Sequence, residues 1–260
     1  MKKGTSSHTY AQILQSCSQN MAILYGMANS ERSLLNKLPN EVKNVDDMDR
    51  VRKQFYGKMK KQRRGYGRKS IGRIIFSEIK RYHYKRQVDK FQYKKIGMLH
   101  TGTKGENKVI DELLKLDDSY HIMCGIDIEL HNWVTYNGKK NLKSAQMDIV
   151  VVCPKGVFMI EVKNWTDEHA QDSKQDFSPY EQTGRAGLVL WITLQNVIKD
   201  IRVTNVLLSI TGNLPYNQNY RSVFVSSLDT INQFLEKKED VLDEKDIEDI
   251  VETLEDFITT

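Results

Sequence analysis

Two acidic residues and a lysine border two consecutive apolar runs near the middle of the chain. The runs are residues 149–152 (IVVV) and 157–160 (VFMI); Asp148 precedes the first, and Glu161 and Lys163 follow the second. Runs so rich in β-branched and apolar residues are typical of strands that are buried on both faces. An ionised carboxylate inside a sheet is unfavourable unless a metal ion or another cation compensates its charge. These residues therefore indicate a site, and a solvated ion-pair cluster at a sheet edge is the alternative.

The turn between the two runs decides whether the three side chains meet. Residues 153–156 (CPKG) carry a Pro/Gly turn signal, which predicts an antiparallel hairpin. Alternation along a strand puts Glu161 and Lys163 on one face. Asp148 joins them on that face if it pairs with Glu161, and the residue numbers of every pair in the hairpin then sum to 309. This register requires a turn of two or four residues, or a bulge that corrects the pairing. A three-residue turn would place Asp148 opposite Val162 and separate the group.

Asp148, Glu161 and Lys163 together have the chemistry needed to hydrolyse a phosphodiester. Carboxylate oxygens suit Mg²⁺ or Mn²⁺, which keep waters in their coordination shells. A bound cation lowers the pKa of a coordinated water and polarises the phosphate. The ammonium of Lys163 could orient the nucleophile or stabilise the transition state.

The same residues resemble a known nuclease core. Asp148, followed thirteen residues later by Glu161-Val162-Lys163, resembles the PD-(D/E)xK nucleases, although Met147 stands where that motif has its proline. Four sequence words in order resemble a narrower family, the nuclease-related domain (NERD): Gly105-Glu106 at a helix start, Gln146-Met147-Asp148, the segment 156–164 (GVFMIEVKN), and Pro179 to Gln182 at a second helix start. The resemblance covers roughly residues 97–260, and it departs at Asp167, where a glycine is expected.

This resemblance implies a fold, a metal site and further site residues. The expected fold is α/β, a restriction-endonuclease-like mixed sheet flanked by helices, preceded by an α-helical N-terminal region. The resemblance implies that Asp148, Glu161 and the main-chain carbonyl of Val162 bind Mg²⁺ (or Mn²⁺), with Glu106 as an accessory carboxylate. Gln182 could hydrogen-bond the site or a phosphate. The alternatives are an interaction of Glu106 with its helix N-terminus and a capping or surface role for Gln182.

The charge of the chain is divided between a basic and an acidic part. Residues 1–100 hold 23 Lys and Arg against 7 Asp and Glu, whereas residues 101–260 hold 16 against 27, although the whole chain carries +5. The densest basic run, 58–69, predicts a phosphate-binding surface with Tyr66 available for stacking. The expected nucleic-acid-binding residues are Lys60, Lys61, Arg63, Arg64, Arg68 and Lys69. A solvated helix face and a dimer interface between the N-terminal helices are the alternatives.

Hydrophobic periodicity and turn signals predict the elements that position these residues. We expect a basic helical region, 1–96, followed by the domain that resembles the nuclease-related family, 97–260. The expected helices are 8–38, a second from Asn40 or Asn44 to about 62, 70–93, one starting at 104–105, 182–201 and one in the acidic tail after Leu228. The expected strands are 120–130, the two described above, 203–210 and 221–226, with a polar loop at 131–144.

Several classes of protein are disfavoured by the sequence. No apolar run approaches the length of a membrane span, and the start (MKKGTSSHTY) has no signal-peptide core, so a cytoplasmic protein without membrane contact is expected. Cys17, Cys124 and Cys153 are few and far apart, which favours reduced thiols. The histidines form no HExxH motif, and residues 101–106 lack Walker spacing.

The sequence therefore predicts a metal-dependent nuclease that acts on DNA, or on RNA as the less favoured substrate. One rival is a nucleic-acid-binding or processing subunit that has a nuclease fold but little catalysis. The other is an oligomeric scaffold assembled through the N-terminal helices, which could also make the nuclease a homo-oligomer.

Overall fold

The structure is a computed structural model that describes residues 21–44, 47–63, 71–90, 94–164, 178–211, 214 and 216–259. Within its helices and strands, the side chains of residues 62–63, 71–78, 89, 94–100 and 139–140 are not described. The chain divides into two compact units, one formed by Met1–Asn29 with Gly105–Thr260 and the other by Ser30–Lys104.

The described helices and strands follow one another along the chain as follows. The helices are α1 (Asn29–Leu35), α2 (Asp47–Arg63), α3 (Ile71–Lys90), α4 (Lys94–Leu113), α5 (Pro179–Leu194), α6 (Ile231–Glu236) and α7 (Glu244–Glu255). The strands are β1 (Ile23–Tyr25), β2 (His121–Tyr136), β3 (Lys139–Cys153), β4 (Gly156–Lys163), β5 (Val203–Ser209) and β6 (Val223–Ser227).

The six strands form one mixed sheet in sequence order. β2, β3 and β4 are antiparallel neighbours, whereas β1 pairs parallel with β2, and β5 and β6 continue parallel from β4. The connection from β4 to β5 contains α5, as a parallel pair requires a crossover. The predicted α/β class, a mixed sheet with flanking helices and a helical N-terminal region, is confirmed.

The sheet is buried on both faces. One face packs against α4 and α6 through residues such as Leu113 and Leu235, and the other packs against α5 and α7 through residues such as Leu190 and Leu254. Every residue of β4 up to Val162 is buried. The apolar runs of β3 and β4 are therefore the central strands that their composition predicts.

The second unit is helical, with α2 and α3 packed together. Its core contains Leu34, Val51, Phe55 and Val88. The backbone N–H of Asp47 donates to Oδ1 of Asn44 at 2.9 Å, so Asn44 caps α2, one of the two capping residues that were predicted.

The predicted helix at 8–38 is wrong over part of its length. Residues 1–20 lie outside the described residues, but Ile23–Tyr25 is a strand, and α1 covers only Asn29–Leu35. The N–H of Ile23 donates to the carbonyl of Tyr120 at 2.9 Å, and β1 then pairs with β2. Pairing with a strand about a hundred residues away overrides the helical periodicity of this short segment.

The predicted polar loop at 131–144 is also wrong, because β2 and β3 continue through it as a hairpin. Asn137 and Gly138 turn the chain with φ of 47° and 77°, the left-handed pair that a two-residue hairpin turn needs. We call residues 129–144 the arm. Half-buried Val134 and Tyr136 alternate with more exposed neighbours, a strand period that the polar composition obscured.

The predicted helix start at 104–105 is wrong as well. α4 begins at Lys94, so Gly105 and Glu106 lie in its interior, and the alternative role of Glu106 at a helix N-terminus is excluded. A Cβ at Gly105 would lie 2.7 Å from Cδ1 of Ile210 and 3.3 Å from Cβ of Asn164. This glycine therefore allows close approach of α4 to the ends of β4 and β5. Among the described helices, none is long and apolar enough to cross a membrane.

Candidate active site at the ends of β3 and β4

The register of β3 and β4 is the one that brings the acidic residues together. Ile149 pairs with Ile160 and Cys153 with Gly156, so each pair sums to 309 and the turn between the strands has two residues. Gly156 has a φ of 119°, a conformation that side chains other than glycine rarely adopt. Extended by one residue beyond the Ile149–Ile160 pair, the same register sets Asp148 opposite Glu161.

Asp148 is held against β4 by its own side chain. Its Oδ2 accepts a hydrogen bond from the backbone N–H of Val162 at 2.9 Å. The last backbone pair of β3 and β4 is Ile149 with Ile160. The N–H of Val162 lies beyond this pair, and the carboxylate of Asp148 accepts its hydrogen bond. This bond directs Asp148 toward Glu161 and its neighbours instead of away from β4.

Glu161, Lys163 and Gln182 form one hydrogen-bonded group. Glu161 is only 2% exposed. Nζ of Lys163 donates to Oε1 of Glu161 at 2.7 Å and to Oε1 of Gln182 at 3.0 Å. Gln182 reaches the sheet from the first turns of α5, whose N-terminus is capped by Oγ of Ser178, which accepts from the N–H of Glu181 at 3.1 Å. Residues predicted from separate sequence words are therefore in contact.

The site carries more negative charge than its lysine offsets. Burial, then the carboxylate of Asp148 and, more weakly, that of Glu106, raise the pKa of Glu161 to about 8, against the opposing effect of Lys163. Burial also raises the pKa of Asp148, although the N–H of Val162 and the charge of Lys163 lower it in part. Two buried carboxyl groups with raised pKa values favour a proton or a cation between them.

The donor set fits a hard divalent cation. Oε2 of Glu161 is buried and accepts no hydrogen bond within the described part of the chain. Among the described residues, no three His, Cys, Asp or Glu side chains are grouped so as to hold a metal by themselves. Mg²⁺ commonly binds proteins through one or two carboxylates and keeps several waters. Asp148 and Glu161 provide two carboxylates, and within the described ranges Oε2 of Glu161 has no hydrogen-bond partner.

Asn29 supports this site from outside the predicted nuclease domain. It is 6% exposed, its Nδ2 donates to the carbonyl of Met147 at 2.9 Å, and its Oδ1 accepts from Nε2 of Gln146 at 3.3 Å. Both contacts are to residues immediately before Asp148. Asn29 was not among the predicted site residues, because a side chain 118 residues from its partner leaves no local signal.

A second missed group connects the arm to α5. The guanidinium of Arg185 donates to Oδ1 and the carbonyl of Asn141 at 3.1 and 2.8 Å and lies over the ring of Tyr136, 5.4 Å from its centroid. A Cβ at Gly184 would lie 2.5 Å from Oη of Tyr136, so a glycine is needed where the arm meets the helix. Arg185 follows Gln182 by three residues, and a helical period puts the two on neighbouring positions of one face.

The predicted nucleic-acid-binding residues belong to the helical unit. Lys60 and Lys61 are exposed on α2, and Nζ of Lys60 lies 4.8 Å from the ring centroid of Tyr56. Arg63 lies in α2, but its side chain is not described; Arg64, Arg68 and Lys69 lie outside the described residues. The phosphate-binding role of this run stays a prediction.

Comparison with known proteins identifies one family. Residues 101–210 match the model of NERD, the nuclease-related domain, which is the family predicted from the sequence words. The match is shorter than half of the 260-residue chain, but it contains all five predicted catalytic residues, Glu106, Asp148, Glu161, Lys163 and Gln182. No curated protein and no solved structure matches the chain.

Proposed function

From the match of residues 101–210 to the nuclease-related domain, we propose that the protein is a metal-dependent nuclease that hydrolyses phosphodiester bonds of DNA, or of RNA as the less favoured substrate. The observation that carries this proposal is the buried pair Asp148 and Glu161 beside Lys163, with Oε2 of Glu161 lacking a partner among the described residues. A solvated ion-pair cluster does not account for a glutamate that is 2% exposed.

Asp148, Glu161 and the main-chain carbonyl of Val162 would hold Mg²⁺ or Mn²⁺. When bound, the cation lowers the pKa of a coordinated water and offsets charge on the phosphate oxygens. It would also keep Glu161 ionised, since a cation favours the charged form of a carboxyl group whose pKa burial has raised.

Lys163 and Gln182 are proposed to orient the attacking water and the phosphate. Nζ of Lys163 carries three protons, of which two are directed to Glu161 and Gln182, so its position is fixed from two sides. A fixed ammonium can stabilise charge that develops on the phosphate without rearranging during the reaction. Glu106, 8% exposed, adds negative charge near Glu161 and so strengthens the local preference for a cation.

The basic residues of the helical unit are proposed to bind the nucleic-acid backbone. Residues 1–100 carry a net charge of +16 by their Lys, Arg, Asp and Glu content, and the exposed Lys60 and Lys61 lie on α2 within this part. Such a surface attracts phosphates without reading sequence.

The test is cleavage of a supercoiled plasmid with Mg²⁺, with Mn²⁺ and with EDTA. We expect Glu161→Gln and Lys163→Met to lower the cleavage rate about 100- to 1,000-fold, the loss typical of removing one group that stabilises a transition state. Lys155→Met is the matched control, because Lys155 lies in the same hairpin but pairs with Asp240 at 2.6 Å, away from the site. Cleavage that is equal in all variants would point to a contaminant, and DNA binding without cleavage in the wild type would refute the catalytic proposal.

A further inference from the structure

The arm extends the sheet as a two-stranded ribbon with an exposed outer face. β4 pairs with β3 only from Ile149 to Cys153. Within the arm, β2 and β3 therefore pair with each other. The indole of Trp133 is 55% exposed, and Thr135 on the same face is also exposed. The exposed indole offers a flat aromatic surface on which a nucleic-acid base could stack.

The arm is basic, whereas the rest of its domain is acidic. Residues 129–144 contain Lys139, Lys140 and Lys143 and a single acidic residue, Glu129, which forms an ion pair with Lys143. Residues 101–260 together carry a net charge of −11 from their Lys, Arg, Asp and Glu content. Lys139 and Lys140 directly follow the turn at Asn137 and Gly138, and the strand register pairs them with Tyr136 and Thr135.

The arm is joined to the proposed active site through α5. Arg185 binds Asn141 and the ring of Tyr136, and Gly184 allows Tyr136 to approach the helix. Three residues earlier on α5, Gln182 binds Lys163. One turn of helix therefore connects the part of the arm next to its turn with Lys163, and a ligand held by the arm would be held near the site.

We propose that the arm binds an unpaired stretch of nucleic acid, with a base stacked on Trp133 and the backbone phosphates attracted by the two lysines that follow the turn of the arm. This proposal rests on the proposed nuclease function and adds the form of the substrate. A base inside a duplex has both faces covered by its neighbours, so stacking on an indole selects an unpaired base. Stacking on a side chain combined with backbone charge tolerates any sequence, because every base has a π face.

The test uses tryptophan fluorescence of the full-length protein in EDTA, so that binding is measured without cleavage. The chain has three tryptophans, and a Trp165→Phe/Trp191→Phe variant leaves Trp133 as the only one. A twelve-nucleotide oligothymidylate should quench its emission with saturation. The matched control, Trp133→Phe/Trp165→Phe, leaves Trp191, which is 41% exposed on α5, and should show no quenching. An oligouridylate of the same length, titrated in parallel, separates DNA from RNA as the source of the base.

Two substitutions quantify the contact. Trp133→Ala should weaken binding of the oligothymidylate about tenfold, within the range for loss of one base–aromatic stack. Lys139→Gln/Lys140→Gln should reduce the slope of log affinity against log salt by about 1.4, the value for two phosphate contacts on a single strand. Lys199→Gln/Lys245→Gln removes the same charge from exposed positions elsewhere in this unit and should leave the slope unchanged.

The outcomes distinguish this proposal from the proposed function. Quenching of Trp133 together with a failure to cleave plasmid would refute the nuclease and retain the arm as a nucleic-acid contact. Cleavage with no quenching, and with Trp133→Ala binding as tightly as the wild type, would overturn the arm proposal and retain the nuclease. Emission of Trp133 that changes with protein concentration alone, with a doubled mass in solution, would overturn it in favour of contact between copies of the chain.

Discussion

The raised pKa of Glu161 predicts how the stability of the protein depends on pH in the absence of divalent cations. The ordinary pKa of this carboxyl group is 4.5, and in the folded protein burial and the neighbouring carboxylates raise it to about 8. Between these values the folded state binds a proton that the unfolded state has released. The free energy of unfolding should therefore fall as the pH rises from about 4.5 to about 8, and should level off above that.

The size of this effect follows from the two pKa values. The difference between 4.5 and about 8 corresponds to at most about 5 kcal/mol. Glu161 shares its surroundings with Asp148 and Lys163, and loss of its charge also removes an ion pair with Lys163, so we expect a contribution of roughly half this bound. For a protein of this size, a change of 2–3 kcal/mol corresponds to a shift in Tm of about 4–12 °C.

Glu161→Gln isolates this contribution. The amide has the shape of the protonated acid but does not titrate at these pH values, so its stability should match that of the wild type near pH 5 and exceed it near pH 8.5. Urea unfolding in EDTA, followed by tryptophan fluorescence at several pH values, measures the difference. Glu252→Gln, an exposed position on α7, is the control and should follow the wild type. Identical pH dependence in the wild type and Glu161→Gln would refute the assignment of a buried, protonated Glu161.

Three further predictions concern the cation, the support for Asp148 and the contact between the arm and α5. Mg²⁺ or Mn²⁺ should raise Tm more at pH 8 than at pH 6, because cation binding displaces a proton from the site. In thermal-shift assays Glu161→Gln should abolish this increase in Tm, and an equal increase at both pH values would contradict the prediction. Asn29→Ala should lower the free energy of unfolding by about 1–3 kcal/mol, because it leaves the buried carbonyl of Met147 without the Asn29 donor. It should also weaken Mn²⁺ binding measured by calorimetry, and an unchanged Mn²⁺ affinity would limit Asn29 to a structural role. Gly184→Ala should destabilise the protein by about 1–3 kcal/mol through overlap with Oη of Tyr136, and adding Tyr136→Phe should restore most of the loss; a double variant as unstable as the single would show that the hydroxyl is not the obstacle.

The β3–β4 hairpin shows how far local pattern reaches in this chain. Two apolar runs and a Pro/Gly turn predict two central strands, and the requirement that Asp148 face Glu161 leads to the register sum of 309, which the structure has. Asn44, one of two predicted capping residues for α2, was identified from a local signal in the same way. These features depend on residues that are near one another in sequence, so their physical causes are visible in the sequence itself.

The wrongly predicted elements each make a contact with a distant part of the chain, although the two strands of the arm are joined by a local turn. Ile23–Tyr25 becomes a strand because β2 offers it an edge to pair with, and the polar arm remains a ribbon because its two strands pair and Tyr136 rests on α5. The helix start expected at residues 104–105 followed from the resemblance of Gly105-Glu106 to a sequence word that opens a helix. In the structure this glycine is a point of close packing against Ile210, and α4 runs through it.

The sequence by itself determined which residues could perform chemistry, because the carboxylates, the lysine and the apolar strands around them are encoded as types and spacing. Only the tertiary structure decided their surroundings. Lys163 binds both Glu161 and Gln182, Asn29 binds the carbonyl of Met147 next to Asp148, and the pKa of Glu161 is raised to about 8. Burial and charge depend on every element packed around a group, including elements far along the chain. A pattern of residues identifies a candidate site, but folding sets the protonation and contacts on which its chemistry depends.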